Sequence, residues 1–191
     1  MMSKLNELQT YLMDQQIDAA FITTPDNVFY FSGFSSDPHE RLLGIMVFKD
    51  AAPFLICPKM EMPDVVAAGW THEVVGHEDT ENAWDVVAKT VATRETAFTS
   101  LAIEKSHLTV ERLEAIQERF EKLAFKGIDE KINAMRICKD EEELVKLRKA
   151  AALADYAIQV GCDAIAEGKT EMEVLNEVES AIKAKGYAMS F

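Results

Sequence analysis

The stretch LLGIMVFKDAAPFLICP, residues 42–58, decides the fold. Two continuous apolar runs, 42–48 and 52–58, flank Lys49-Asp50-Ala51. Short apolar runs without polar alternation belong to strands covered on both faces. A brief polar break between two of them reads as a hairpin. The stretch therefore predicts an antiparallel strand pair inside a sheet that carries helices on both sides.

Toward the amino terminus, IDAAFIT (17–23) predicts a short buried strand. A helix over 3–16 precedes it, with Leu5, Leu8 and Leu12 at spacings of three and four and Ser3 as its cap. Thr24-Pro25-Asp26-Asn27 reads as a break. NVFYFSGF (27–34) and the polar loop SSDPHE (35–40) then lead into the hairpin. Toward the carboxyl terminus come a short helix of about 60–68 and the strand THEVVGH (71–77). A helix of about 80–93 starts near Asp79 or Thr80 and carries Ala83, Trp84, Val87 and Val91 on one side. It is followed by the strand SLAIEK (100–105), a helix capped by Thr109 with Leu113, Ile116 and Phe120, and the strand KLAFKGID (122–129). Helix, strand, strand pair and then helix–strand alternation give an α/β fold with a mixed sheet flanked by helices.

The pattern changes near residue 130. Asp140-Glu141-Glu142-Glu143 is a strong helix start, with a cap, a capping-box acid and acids at the positive end of the helix dipole. An apolar stripe follows through Leu144, Leu147, Ala151, Ala154, Ile158, Cys162 and Ile165, and Gly168 stops it. Thr170-Glu171-Met172-Glu173 opens a second helix carrying Leu175, Val178 and Ile182, which Lys185-Gly186 ends. YAMSF (187–191) reads as the start of a strand with nothing to pair with. The expected organisation is one domain over 1–132 and, over 133–191, the beginning of a second whose remainder is missing.

The 191 residues are 48% hydrophobic and 28% charged, which excludes collagen, coiled-coil arrays and wholesale disorder. Twenty Lys and Arg against 33 Asp and Glu leave a net charge of −13. Such a surface repels phosphates, so neither nucleic acid nor an anionic membrane is an expected partner. Three separated cysteines without a CxxC pair favour a reducing compartment with free, mostly buried thiols. The opening MMSKLNELQTYLMDQQ lacks the apolar run of a signal peptide, and no apolar stretch is long enough to span a membrane. The expected location is cytoplasmic.

Motifs for chemistry are sparse. There is no HExxH, no Cys/His group with zinc spacing, and no GxGxxG, GxxxxGK[ST] or GxSxG. His72 and His77 flank EVVG and read as strand-end surface groups, and His107, before a helix cap, reads as structural. The pairs Asp26/Asp37 and Asp129/Asp140 are each eleven apart, a spacing that can bridge two metals. Asp26, however, sits in a proline turn, and Asp129 and Asp140 read as helix caps. The aromatic group Phe29, Tyr30, Phe31 and Phe34 fits either core packing or a substrate pocket.

One loop stands out. Ser36-Asp37-Pro38-His39-Glu40-Arg41 packs two acids, an imidazole and a guanidinium together. Arg41 can clamp a carboxylate in bidentate fashion, Asp37 and Glu40 can hold an amine, and His39 can close one side of a pocket. The alternative is a solvated turn with a local Glu–Arg pair.

Several segments, in order along the chain, resemble the creatinase and Xaa-Pro peptidase family. NVFYFSGF (27–34) resembles its N-x-x-Y-x-[ST]-G-[FY] segment, and Ile103-Glu104 before a helix fits the same domain. Arg136, Lys139, Glu143, Leu144, Leu147, Arg148 and Ala150 occupy the family's R-x-x-K-x-x-x-E-[IL]-x-x-[IL]-R-x-A pattern. Gly168-Lys169-Thr170-Glu171 resembles its G-x-[TS]-E, and Ser190-Phe191 the start of its first catalytic-domain strand. The nearest likeness is to bacterial proline dipeptidases. The resemblance implies a ribonuclease-H-like N-terminal domain followed by the first helices of a truncated pita-bread catalytic domain.

It also implies a full-length parent that hydrolyses the bond before proline in Xaa-Pro dipeptides. Two divalent metals, Mn, Co or Zn, would be bound by two Asp, one His and two Glu, all downstream of residue 191. This chain is then expected to hold no metal, no cofactor and no catalytic residue of its own, and to be inactive alone. A homodimer is implied, with Asp37, His39, Glu40 and Arg41 helping to limit substrate across its interface. A creatinase or Xaa-Pro aminopeptidase parent, and a non-catalytic peptide- or protein-binding or dimerisation module, remain the alternatives.

Overall fold

A computed structural model describes residues 3–94 and 98–187. The chain divides into two compact units, Met1–Ile137 and Cys138–Phe191.

The hairpin stretch forms β2 (Gly44–Phe48) and β3 (Phe54–Pro58), every residue of both being buried. They pair antiparallel with Gly44 opposite Ile56. Around them the first unit adds α1 (Lys4–Asp14), β1 (Ala19–Ile22), α2 (Pro25–Ser32), α3 (Met62–Ala67) and β4 (Glu73–His77). Next come α4 (Ala83–Ala92), β5 (Ser100–Ile103), α5 (Val110–Arg119), β6 (Ala124–Gly127) and α6 (Asp129–Ile137). The six-stranded sheet has the order β4-β3-β2-β1-β5-β6. β2 is antiparallel to both neighbours, and β3–β4, β1–β5 and β5–β6 pair parallel. Five strands therefore run one way and β2 the other.

Alternate residues feed two cores, as the period of a pleated strand requires. Ala20, Ile22, Ile45, Val47, Leu55 and Cys57 pack with α1, α2, α3 and α6 through Leu8, Leu12, Val28, Val65 and Ile132. Phe21, Met46, Phe48, Phe54 and Ile56 pack on the other face with Val87 and Val91 of α4 and Ile116 of α5. Gly44 is needed at the crossing of β2 and β1, because a Cβ there would lie 2.7 Å from the Phe21 ring. The mixed sheet covered by helices on both faces is the fold that the sequence predicts.

α2 and α4 depart from the sequence reading. The supposed break at 24–27 is the start of α2: Pro25 occupies its first turn, where a missing N–H costs nothing, and Gly33 at φ 76 ends it with its N–H donating to the Phe29 carbonyl. The aromatic group is thereby divided, with Phe31 and Phe34 buried and Phe29 exposed. The helix expected from Asp79 or Thr80 begins at Ala83, and Asn82 caps it by accepting from Trp84 N–H at 3.0 Å.

A buried carboxylate ties the amino-terminal ends of β1 and β5 to the end of β2. Asp18 precedes β1 and accepts from Lys49 Nζ at 2.6 Å, Thr99 N–H and Oγ at 2.8 Å and Ser100 N–H at 3.0 Å. Burial alone would raise its carboxyl, but these donors outweigh it and hold the group well below the usual carboxylate range.

The second unit contains α7 (Glu141–Ala164) and α8 (Glu171–Ala184). Both expected capping boxes are present. Asp140 accepts from Glu143 N–H at 2.8 Å while Glu143 accepts from Asp140 N–H at 3.0 Å, and Thr170 and Glu173 repeat the arrangement. α7 ends at Ala164 rather than running on to Gly168. Its stripe stays largely open, with Ile158 and Ile165 about two-thirds exposed (67% and 71%). Of the expected YAMSF strand, 188–191 lie outside the described residues.

Candidate functional site

The five co-directed strands end, and β2 begins, on one edge of the sheet. In open α/β sheets the carboxyl ends of strands are where ligands are commonly received. Two clusters of polar side chains sit on that edge.

The first is the loop 35–43, which joins α2 to β2. Arg41 N–H donates to the Pro38 carbonyl at 2.9 Å, closing a turn. His39 inside this turn has φ 51, the left-handed region that non-glycine residues adopt only when their surroundings enforce it. Several groups from other elements hold the loop. Arg41 donates from Nε and Nη2 to the two carboxylate oxygens of Asp79, at 2.8 and 3.0 Å. That contact holds the Asp79 carboxyl below its ordinary range and raises Arg41. Arg112 Nη2 of α5 lies 3.5 and 3.4 Å from the carbonyls of Glu40 and Arg41. Ser36 Oγ lies 3.0 and 3.1 Å from the carboxylate oxygens of Glu61. His77 Nε2, at the end of β4, lies 2.9 Å from the Leu42 carbonyl.

His77 is thus not the strand-end surface group that the sequence suggests. It is buried, and its ring anchors the loop exit. Asp37, His39 and Glu40 are exposed, with His39 Nδ1 3.8 Å from Asp37 Oδ1. The partner of Arg41 is not its neighbour Glu40 but Asp79, thirty-eight residues on.

The second cluster is buried at Glu104 and Asn27, half-buried at Tyr30 and Arg136, and gathers the motif residues. Glu104, immediately after β5, accepts from Thr23 N–H, from Thr24 N–H at 2.8 Å and from Asn27 Nδ2. Asn27 Oδ1 in turn accepts from Arg136 Nη1 at 2.6 Å. Tyr30 hydroxyl donates to the Met135 carbonyl at 3.2 Å, and Ser32 Oγ donates to the Val28 carbonyl at 2.6 Å while accepting from Phe34 N–H. Residues quoted separately along the sequence, Glu104, Asn27 and Arg136, therefore link the β1–β5 ends, α2 and α6, Tyr30 adds a second tie from α2 to α6, and Ser32 bonds within its own segment. Thr24 caps α2 without a side-chain bond of its own, and Glu104 supplies the carboxylate at that positive helix end. Both Glu104 carboxylate oxygens and the Asn27 amide oxygen meet N–H donors, which is the chemistry of a structural pin.

Of the aspartates in the metal-spaced pairs, Asp140 is a cap, as expected. Asp129 opens α6, and its carboxylate also accepts from the N–H groups of Lys105 and Ser106 at 3.0 and 3.1 Å. Asp26 lies in the first turn of α2, 3.9 Å from Arg136. Among the described residues no three His, Cys, Asp or Glu side chains come together in a metal-holding group. No described helix is long and apolar enough to cross a membrane.

A family model described as the creatinase/prolidase N-terminal domain matches residues 4–138. A relative from Bacillus subtilis strain 168, provisionally named as the dipeptidase YkvY, is 39% identical over all 191 residues, covering 100% of this chain and 53% of its own length. A proline dipeptidase structure from Streptococcus pneumoniae superposes with TM-score 0.67 at 30% identity, covering 72% of this chain and 100% of that one. The prolidase of Pyrococcus horikoshii OT3 superposes with TM-score 0.76 at 28% identity, over 95% of this chain and 48% of its own. The chain spans about half the length of the curated relatives it matches.

Proposed function

The chain belongs to the creatinase/prolidase N-terminal domain family, and from that premise we propose that it is the front half of a metal-dependent Xaa-Pro dipeptidase. In this reading residues 1–132 are the N-terminal domain. Residues 133–191 are the linker and first two helices of a pita-bread catalytic domain. The observation that carries it is the reach of the likeness: a relative named as a dipeptidase aligns with the whole chain, through both helix starts of the second unit, and not only with 4–138. The open apolar stripe of α7 supports it, as a face on which the remainder of a catalytic domain would pack.

The two metal ions of such an enzyme supply Lewis acidity and an activated water. The described residues of this chain do not offer them a donor set. The oxygens of Asp18, Glu104 and Asp129 are taken up by N–H and O–H donors, and no third ligand accompanies Asp37 and His39. The contribution of this half is substrate selection within a homodimer. Asp37 and Glu40 receive the amino group of a short peptide, His39 flanks it, and Arg41 orients the loop.

The test uses the longer protein loaded with Mn(II). Xaa-Pro dipeptides should be hydrolysed and longer Xaa-Pro peptides disfavoured. The double substitution His39→Ser, Arg41→Ser should alter KM and length preference more than kcat. Absence of Xaa-Pro cleavage overturns the enzyme reading, leaving a binding or dimerisation module. Unchanged specificity in the double variant removes the loop from selection.

A further inference from the structure

We infer that Asp79, seated just beyond β4, is the residue that positions the 36–41 loop, and that Arg41 serves as the loop's anchor rather than as a ligand for substrate carboxylate. The inference rests on the reading of that loop as a selectivity element, and it identifies what sets the loop's shape.

Three features carry it. First, the side edge of the Arg41 guanidinium, Nε and Nη2, is committed to Asp79 in a two-pronged contact that fixes the direction of the side chain. Second, the grip falls on the residue that closes the turn. Arg41 donates its own N–H to Pro38, and His39, the first of the two residues between them, is held at φ 51. A left-handed histidine keeps that conformation only while the turn is clamped. Third, apart from the contact of Ser36 Oγ with Glu61 at the start of the loop, the remaining supports act on main-chain carbonyls, through Arg112 on Glu40 and Arg41 and His77 on Leu42. They fix where the chain runs but not how the turn is rotated. The Asp79–Arg41 fork couples the side chain that closes the turn to another segment through two donors. With Arg41 turned to Asp79, the groups left exposed on the turn are Asp37, His39 and Glu40.

Asp79 therefore acts through Arg41 and touches no substrate. Replacing it leaves the metal chemistry and the peptide bond where they were and blurs the fit of the loop. The expected signature is a rise in KM for a Xaa-Pro dipeptide with little change in kcat.

The experiment compares Asp79→Ser, Asp79→Glu, Arg41→Ser and the double Arg41→Ser/Asp79→Ser in the Mn(II)-loaded longer protein, on a Xaa-Pro dipeptide and a Xaa-Pro-Xaa tripeptide. Asp79→Ser should raise the dipeptide KM about three- to fivefold, a size suited to an exposed but two-pronged pair. It should lower the dipeptide-to-tripeptide preference by a similar factor, with kcat held within about twofold. Asp79→Glu should recover part of the preference, and the double variant should be no worse than Arg41→Ser alone.

Loss of preference in Arg41→Ser with wild-type behaviour in Asp79→Ser overturns this inference and leaves the loop reading standing. Wild-type preference in both overturns the loop reading as well. A lower KM in Asp79→Ser shows Arg41 freed to bind substrate and also overturns it. In the 191-residue chain, Asp79→Ser should speed hydrogen exchange of the Arg41 amide at least tenfold while β3 and β4 stay protected. An unchanged Arg41 amide refutes the clamp without reference to activity.

Discussion

Replacing Asp18 by Asn removes a charge while keeping the shape of the side chain, and the structure sets the expected cost. One carboxylate oxygen takes Lys49 Nζ at 2.6 Å, and the other takes two donors of Thr99 and the N–H of Ser100. A bond to an ionised acceptor is worth roughly twice a neutral one, and an amide must turn its NH2 toward one group of donors. Losing about 1 kcal/mol at each of three bonds gives a destabilisation of about 3 kcal/mol, at the low end for breaking a buried pair. The unit Met1–Ile137 should unfold with an entropy of roughly 0.29 kcal/mol/K, so the melting temperature should fall by about 10 °C.

The pH dependence makes the test specific. The Asp18 carboxyl is depressed in the folded chain, so its stabilisation is complete above the unfolded value, near 3.9, and drains away as pH falls below it. Asn does not titrate. The gap between wild type and Asp18→Asn should therefore be about 1.3 kcal/mol smaller at pH 3 than at pH 7. Calorimetry or circular dichroism melts at the two pH values decide it. A gap under about 1 kcal/mol at pH 7, or one that stays the same at pH 3, would show that the ionised state of Asp18 is not what ties β1 to β5.

Two further outcomes follow from buried groups. Burial pushes the Cys57 thiol up to about 12, with Glu61 adding to the shift, whereas Cys138 and Cys162 are exposed. An aromatic disulfide reagent at pH 8 should therefore titrate two thiols quickly and the third only in denaturant, and three fast thiols would contradict the burial of β3. Glu104→Gln should cost about 2–4 kcal/mol in urea denaturation, because one oxygen facing N–H donors becomes an NH2 group; a midpoint shift below about 0.5 kcal/mol would refute its role as the pin of α2.

What could be read from the sequence was local. The 42–58 hairpin announces itself because every residue of its two strands is buried, and the capping boxes at Asp140 and Thr170 are complete within four residues. α2 escaped because Pro25 has two meanings, turn former or first helical residue, and only the docking of Val28 and Phe31 on the sheet selects between them. In α6, only Ile132 and Met135 are buried, too few to set a period. In the loop, the residue types at 37–41 were legible but their partners were not. Asp79, Glu61 and Arg112 reach it from 25 to 72 residues away, and nothing in the local pattern links them. His77 alternates with surface-like neighbours, and its burial depends on how Leu42 returns to the sheet. The motif residues 27, 30, 104 and 136 were visible as letters. That Glu104, Asn27 and Arg136 form one hydrogen-bonded chain, with Tyr30 bonded beside it to Met135, appears only in three dimensions.

That linkage joins positions 109 residues apart, Asn27 to Arg136, and Lys131 likewise reaches back 124 residues to Glu7 at 2.6 Å. A chain leaving the ribosome at roughly 5–20 residues per second thus waits several seconds between exposing α1 and α2 and making the helix that fastens them. Throughout that interval Leu8, Leu12, Val28 and Phe31 have no complete core to enter. The N-terminal unit is built to close last at its own exit, so its assembly is finished only as the first turns of α7 follow it into the cell.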